Sequence, residues 1–279
     1  MLLVLKYISR ILITLRRRHC RSRSLMMLLI CMIFFVIVLP FYVIYRPPTI
    51  LVRYLQRQWP DVLWHIQTTN NVVALTIDDA PSDYTPDIIR ALNENYATAT
   101  FFIIGSQVLG QKEKDMLKDI IRQGSELANH AMYDEVSKDL SDLELRQQVL
   151  QVEEIIREAY ASVEEELVWA PGSMQPLYFR PGSGFFTKRM RKLMKDMDYK
   201  IVLGGIYPHD AQISWVWLNT WHVLSKITRG GIVICHDRRG WTAPMLRKVL
   251  PALRKRNYVA SSLTGLINSG RFEDRKKSS

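Results

Sequence analysis

With 279 residues, 48% of them hydrophobic and 23% charged, the chain has the make-up of an ordinary folded protein carrying one exceptional segment. Its net charge of +11 sits mostly at one end: Lys6, Arg10, Arg16, Arg17, Arg18, Arg21 and Arg23 meet no acid among residues 1–45, and the remainder has 31 basic and 27 acidic residues. That distribution removes the support for nucleic-acid binding. Of three cysteines only Cys235 lies beyond residue 45, which excludes a disulfide framework there.

Residues 1–24 read as a basic cytoplasmic segment suited to anionic lipid headgroups, and the mostly apolar stretch Met1 to Leu15 could lie on the same surface. The exceptional segment follows, Leu25 to Tyr45, 21 residues without a charge. At about 1.5 Å per residue a helix of that length crosses a hydrocarbon core of about 30 Å. A cleaved signal peptide would have a shorter apolar region ending in small residues, whereas this one ends Val43-Ile44-Tyr45-Arg46-Pro47-Pro48, so a transmembrane anchor is the expectation. Seven cations before it against Arg46, Arg53 and Arg57 just after predict a single-pass protein with a cytoplasmic N-terminus. The remaining chain is then extracytoplasmic, on a lumenal, cell-surface or periplasmic side. No Asn-x-Ser/Thr sequon separates a eukaryotic lumen from a bacterial exterior.

Residues 46–69 open with Arg46-Pro47-Pro48, lack sustained periodicity and read as a short stem. From about Asn71 strand-like and helix-like signals alternate. Candidate strands are Val72 to Ile77, Thr98 to Ile104, Glu126 to Asn129, Leu177 to Arg180, Ile201 to Gly204, Ile232 to Cys235 and Tyr258 to Ser262. Thr85 as N-cap with Pro86 at the first helical position marks a helix start, Ser141 with Glu144 forms a capping box, and Arg122-Gln123-Gly124 looks like a helix end. The long helix from Ser141 to about Ala161 places Leu145, Val149, Val152 and Ile156 on one stripe, and Pro251 is expected to kink or split its helix. Seven strands alternating with helices imply an α/β domain with a mainly parallel sheet, open or closed into a barrel. A charged tail, 268–279, follows.

Parallel folds gather carboxyl strand ends on one face, and four chemical signals fall at such ends. Asp78-Asp79 closes the first strand, where the two carboxylates can diverge to different partners; a bare doublet can equally cap a turn. After the third strand His130 and Asp134 stand four residues apart, an imidazole and a carboxylate suited to zinc or a similar divalent ion, although a lone histidine is more often a surface or core residue. Arg180-Pro181-Gly182-Ser183-Gly184 ends the fourth with a cation that, if buried, needs a carboxylate such as Asp78; a rim salt bridge is the alternative. His236 ends the sixth. Each has an ordinary structural explanation alone, and together they point to metal-assisted hydrolysis.

In this order the motifs resemble those of the NodB-type polysaccharide deacetylases, carbohydrate esterase family 4, across roughly residues 70–267. The matching segments are Thr76-Ile77-Asp78-Asp79-Ala80-Pro81, His130-Ala131-Met132-Tyr133-Asp134, Arg180-Pro181-Gly182-Ser183-Gly184, a weaker Tyr207-Pro208-His209-Asp210, and Ile234-Cys235-His236. The resemblance implies a distorted (β/α) barrel of about seven parallel strands and metal-dependent removal of acetyl groups from an N-acetylglucosamine-containing glycan, chitin-like or from a cell wall. It implies Asp78 as general base, His236 as general acid, Arg180 orienting Asp78 and Asp210 orienting His236. Metal ligands would be Asp79, His130 and Asp134, holding zinc first, with cobalt, manganese or nickel as alternatives. A backbone N–H in the turn after Arg180 would help hold the oxyanion.

Three departures stand out. Asp134 replaces a usual histidine, Ala80 replaces a usual glycine, and the aspartate segment is not legible, so that His209 rivals Asp210. They keep a second reading in view: a catalytically impaired, membrane-anchored carbohydrate-binding or scaffold relative. A sugar or phosphate hydrolase with Asp78 as nucleophile would need a phosphate-binding turn, for which Gly182-Ser183-Gly184 is a weak match. Trp241 and Tyr133 are the candidate sugar contacts, with Phe185 weaker; Trp215, Trp217 and Trp221 are expected to pack a helix.

Overall fold

The computed structural model describes residues 22–167 and 177–277, with only the backbone for 164–167 and 271–277, and divides into two units, 1–48 and 49–279. In the first, α1 (Ser22–Tyr45) is the one helix among the described residues long and apolar enough to cross a membrane. At about 1.5 Å per residue its 24 residues extend about 36 Å. A π-helical stretch, Phe34–Val38, precedes Pro40, and Leu39 N–H reaches back to the Phe34 carbonyl. Proline has no N–H and its ring crowds the carbonyl four residues earlier, and a wider turn relieves both. Of the basic segment expected at 1–24, residues 1–21 lie outside the described residues.

The second unit opens with α2 (Thr49–Gln58) and β1 (Val62–Leu63), so residues 46–69, expected as a stem, contain a helix and a strand. The strand is only two residues long, too short for any periodicity to register. Then come β2 (Val72–Ala80), α3 (Thr85–Asn93), β3 (Thr100–Ile103), α4 (Gln111–Arg122), β4 (Glu126–Asn129), α5 (Asp142–Leu167) and β5 (Tyr178–Phe179). They are followed by α6 (Lys188–Asp196), β6 (Lys200–Val202), α7 (Val216–Lys226), β7 (Ile232–His236), α8 (Thr242–Lys255), β8 (Val259–Ser261) and α9 (Leu263–Lys277). All seven predicted strands are present.

Every ladder is parallel, in the order β1-β6-β5-β4-β3-β2-β7, with β8 on the early part of β2. Between β6 and β7 no ladder forms. Two isolated bridges, Ile206 to Val233 and His65 to Gly231, span that gap, giving a half-barrel of seven parallel strands in series rather than a closed barrel.

Alternation along β2 sets where everything points. Val73, Leu75 and Ile77 face outward into the layer containing Ile88, Leu92, Leu117 and Val152 from the helices. Ala74 faces inward and packs with Phe102, Ala128, Tyr178, Val202 and Ile232 from neighbouring strands and with Leu263 and Leu266 of α9. The amino ends of the strands are therefore stoppered by an apolar plug. Above Ala74 on the inner side come Thr76 and Asp78, so the barrel turns polar towards its carboxyl end.

The Ser141–Glu144 capping box forms in both directions, at 2.9 and 3.2 Å, and the predicted stripe of α5 is buried. Two local expectations fail: Thr85 does not cap its helix but donates its hydroxyl to Asp237, and α9 continues through 268–277, expected as a charged tail. Pro251 lies inside α8, which is not split there. The expected packing role of Trp215, Trp217 and Trp221 also fails: they are 60%, 64% and 48% exposed.

Candidate active site

The β2–β7 ladder pairs Asp78 directly with His236, and Asp237 N–H bonds to the Asp78 carbonyl at 2.7 Å. Beside them the β2–β3 register shifts between Ile77 and Ala80, and Asp79 takes a left-handed conformation at φ 63°. Aspartate tolerates that region better than most residues, and the bulge turns the two carboxylates towards different partners. Ala80 has no such conformation and is fully buried, so the methyl group that replaces the usual hydrogen is simply core.

Arg180, 2% exposed, forms an ion pair with Asp78 Oδ1. The same Nη1 donates to Thr76 Oγ1 at 2.9 Å, Nε donates to the Val202 carbonyl at 3.1 Å, and the guanidinium lies 4.1 Å above the Phe102 ring. A buried cation needs this much compensation. Its Nη2 has no protein partner among the described residues, leaving one buried donor beside the site.

His236 Nδ1 donates to Asp210 Oδ1 at 2.9 Å, and His236 N–H to Asp210 Oδ2 at 2.8 Å. Asp210 thus stands where the sequence offered two choices; His209 packs at a tilt against Tyr207 instead, with ring centres 4.2 Å apart. The other face of His236 looks at Asp78, with Nε2 3.9 Å from Oδ2. Burial acts to lower the imidazole's pKa, but the charge and hydrogen bond of Asp210, then Asp78 and Asp79, outweigh it and raise it to about 9. This histidine is protonated at neutral pH.

His130 Nδ1 lies 2.7 Å from the Arg180 carbonyl, which can only accept, so Nδ1 carries a proton and Nε2 is the nitrogen left to face a ligand. Nε2 lies 3.6 Å from Asp79 Oδ1, too far for a good hydrogen bond and suitable for two ligands of one cation. Burial raises the Asp79 carboxyl above its ordinary pKa; His130 and His236 pull it back in part, while Asp78 and Asp134 add to the rise. A buried carboxylate beside an imidazole Nε2 is a donor pair that fits a divalent ion.

Asp134 is not gathered into this group. Its side chain is 59% exposed, and Arg238 Nη1 reaches its Oδ2 at 3.3 Å. Among the described residues no set of three or more His, Cys, Asp and Glu side chains converges as a metal centre. Residues four apart share a face only on a helical turn, whereas the chain passes through a left-handed Ala131 and bends, with one 3-10 turn at Ser137–Asp139, before the α-helix that starts at Asp142.

In the turn after Arg180, Pro181 has no N–H, Gly182 N–H goes to Ser137 Oγ at 2.8 Å and Gly184 N–H to the Pro181 carbonyl at 3.0 Å. Ser183, at φ 64°, holds the remaining N–H of that turn. Trp241 is half-buried and its Nε1 donates to the Asp210 carbonyl at 2.8 Å, so the indole buttresses the aspartate. Tyr133 is 54% exposed. Tyr207, whose ring centre lies 5.6 Å from that of His236, is an aromatic wall that sequence reasoning passed over. Thr76, Phe102 and Asp237 were also missed; Thr76 was accessible from period-two alternation with Asp78.

Comparison with known proteins matches this architecture. A family model for polysaccharide deacetylase matches residues 65–202. A peptidoglycan-N-acetylglucosamine deacetylase of Bacillus cereus is 30% identical over 212 residues, covering 74% of this chain and 92% of the relative. A chitooligosaccharide deacetylase of a Bradyrhizobium species is 27% identical, covering 70% and 90%. Among solved structures, a carbohydrate esterase family 4 pseudoenzyme from Bacillus anthracis superposes with a TM-score of 0.64 at 23% identity, covering 75% of this chain and 69% of that one. Fold, strand-end site and sequence likeness agree: the chain belongs to the polysaccharide deacetylase family, hydrolases that cleave the amide bonds of acetylated sugars.

Proposed function

We propose that this protein removes acetyl groups from N-acetylglucosamine units of an extracytoplasmic glycan, of the peptidoglycan or chitooligosaccharide kind, releasing acetate and a free amino sugar. The observation that carries this reading is the opposed pair of supported groups, Asp78 locked by Arg180 and His236 locked by Asp210, facing each other across 3.9 Å. One accepts a proton and the other holds one.

Asp79 and His130 would hold a divalent cation, with zinc the first choice for an oxygen and imidazole pair; bound there, it supplies Lewis acidity towards the acetyl carbonyl and water. Asp78 is a carboxylate whose Oδ1 is fixed by Arg180, leaving Oδ2 to take the proton of the attacking water. His236, protonated at neutral pH, delivers the Nε2 proton to the departing amine, and Asp210 keeps the ring in the tautomer that allows it. Tyr207 and the exposed Tyr133 flank the site as surfaces for a sugar face. The apolar helix α1 serves as the membrane anchor, with its N-terminus cytoplasmic and this face outside.

The purified chain should release acetate from acetylated chitooligosaccharide or peptidoglycan, and Asp78→Asn should lower that rate about a hundredfold or more with the fold intact. Full activity in that variant overturns the base assignment.

A second reading, an impaired carbohydrate-binding relative, is favoured by the Asp134–Arg238 ion pair, which takes up the third ligand position of the family. Metal content after supplementation separates the two: a stoichiometric divalent ion supports catalysis, and none supports the binding protein.

A further inference from the structure

At the opposite end of the domain from the site lies a cavity of about 940 Å³, bordered by Arg53, Gln56 and Arg57 of α2, by His65 and Thr68 before β2, and by Arg229 before β7. Its lining holds no aspartate or glutamate. Among the described residues neither Arg53 nor Arg57 has a carboxylate partner, and Arg229 gives Nε to the Asn71 amide oxygen at 2.7 Å. Three guanidiniums around one opening repel each other unless an anion joins them.

The face they present is built. Arg53 and Arg57, four positions apart, project on one side of α2. The helix is held on the domain by Val52, 7% exposed and packed at Gly205, and Gln56 Nε2 ties it to the His65 carbonyl at 3.0 Å. Burial first, and then the Arg53 charge, lower the His65 pKa against a backbone hydrogen bond at Arg229, so Arg53 acts on the same space and His65 is neutral at neutral pH. The volume is within the range of small-molecule clefts, and arginine forks pair bidentately with the oxygens of a phosphate. Thr49, another lining residue, follows the last residue of α1 by four positions.

We propose that this cavity is a binding site for a phosphate-type oxyanion, held by Arg53, Arg57 and Arg229 with Gln56 and Thr68 as neutral donors. Two sources share that chemistry, the phosphodiester headgroup of a membrane lipid and a free phosphate. The site is separate from the acetyl-removing face and stands whether or not the proposed activity does.

The test uses the full chain in uncharged detergent at about 0.15 M salt, titrated calorimetrically with inorganic pyrophosphate and, separately, with short-chain phosphatidylglycerol. At least one should bind the unmodified protein with a Kd below about 1 mM, and Arg53→Gln/Arg57→Gln/Arg229→Gln should weaken it about tenfold or more. Pyrophosphate binding assigns a free phosphate; binding of phosphatidylglycerol alone assigns a headgroup. No binding of either to the unmodified protein overturns the proposal. So does equal binding by the variant, which would place the affinity in the basic N-terminal segment. Because the unmodified protein alone can refute the site, a variant that misfolds does not protect it; Arg53→Lys/Arg57→Lys/Arg229→Lys, keeping charge without the fork, should bind about threefold to fivefold more weakly.

Discussion

Replacing Asp210 with asparagine probes the general-acid assignment most directly. Asp210 accepts twice from His236, at Nδ1 and at the backbone N–H, and after the lowering effect of burial it is the largest influence on that imidazole. The others, Asp78 and Asp79, also raise the value. Without the Asp210 charge the pKa should return from about 9 to about the ordinary 6.5 or below. At pH 8 the protonated fraction then falls from about 0.9 to about 0.03, roughly thirtyfold, while at pH 6 both proteins remain mostly protonated. The same shift carries a stability consequence. A folded-state pKa above the unfolded one adds stability that is complete below about pH 6.5 and is lost as pH rises through about 9. Wild type should therefore unfold at lower denaturant at pH 9.5 than at pH 6, and Asp210→Asn should narrow that gap. The assay is an NMR titration of labelled histidine, with acetate release followed over the same pH range. An imidazole that still titrates near 9 in Asp210→Asn refutes the argument, as does an equal rate loss at pH 6 and pH 8.

Three further outcomes follow from the geometry. Arg180→Met strands the Asp78 carboxylate in the core and should cost about 3–5 kcal/mol in chemical denaturation; a loss below about 1 kcal/mol would mean the pair is solvated rather than buried. Asp134→His should tighten zinc binding measured by calorimetry about tenfold or more, and Arg238→Ala, which breaks an exposed pair, only up to about fivefold; no change in either would remove position 134 from the metal argument. Gly182→Ala puts a Cβ 1.9 Å from the Glu135 carbonyl oxygen and should lower the melting temperature by several degrees, whereas an unchanged value would show that the turn relaxes freely.

Much of the fold was legible because its signals are local. The run Val72 to Ile77, the capping box at Ser141 and the stripe Leu145, Val149, Val152 and Ile156 each report an environment through neighbours a few residues away. The stem failed for the opposite reason. Val62 and Leu63 become a strand only because β6 offers an edge, and Val52 is buried only because Gly205 leaves room. The exposed Trp215, Trp217 and Trp221 show the same limit, since an aromatic residue carries no local mark of which way it faces.

The candidate site divides along the same line. Asp78, Asp79, His130, Arg180 and His236 could be picked out because each ends an apolar run, and a parallel sheet gathers such ends on one face whatever its closure. What joins them could not be read from the chain. Asp210 prevails over His209 because the loop after β6 turns one residue towards His236 and the other onto Tyr207. Trp241 braces the site because its N–H finds the Asp210 carbonyl. Asp134 leaves the cluster because a left-handed Ala131 breaks the turn that would have aimed it inward, and Arg238, more than a hundred residues later, is there to meet it. The sequence by itself determined the inventory of ionisable groups and the end of the barrel that carries them, since both depend on chemistry and short-range period. Only the tertiary structure decided which of those groups face each other, because that depends on loop paths and distant partners that no local pattern records.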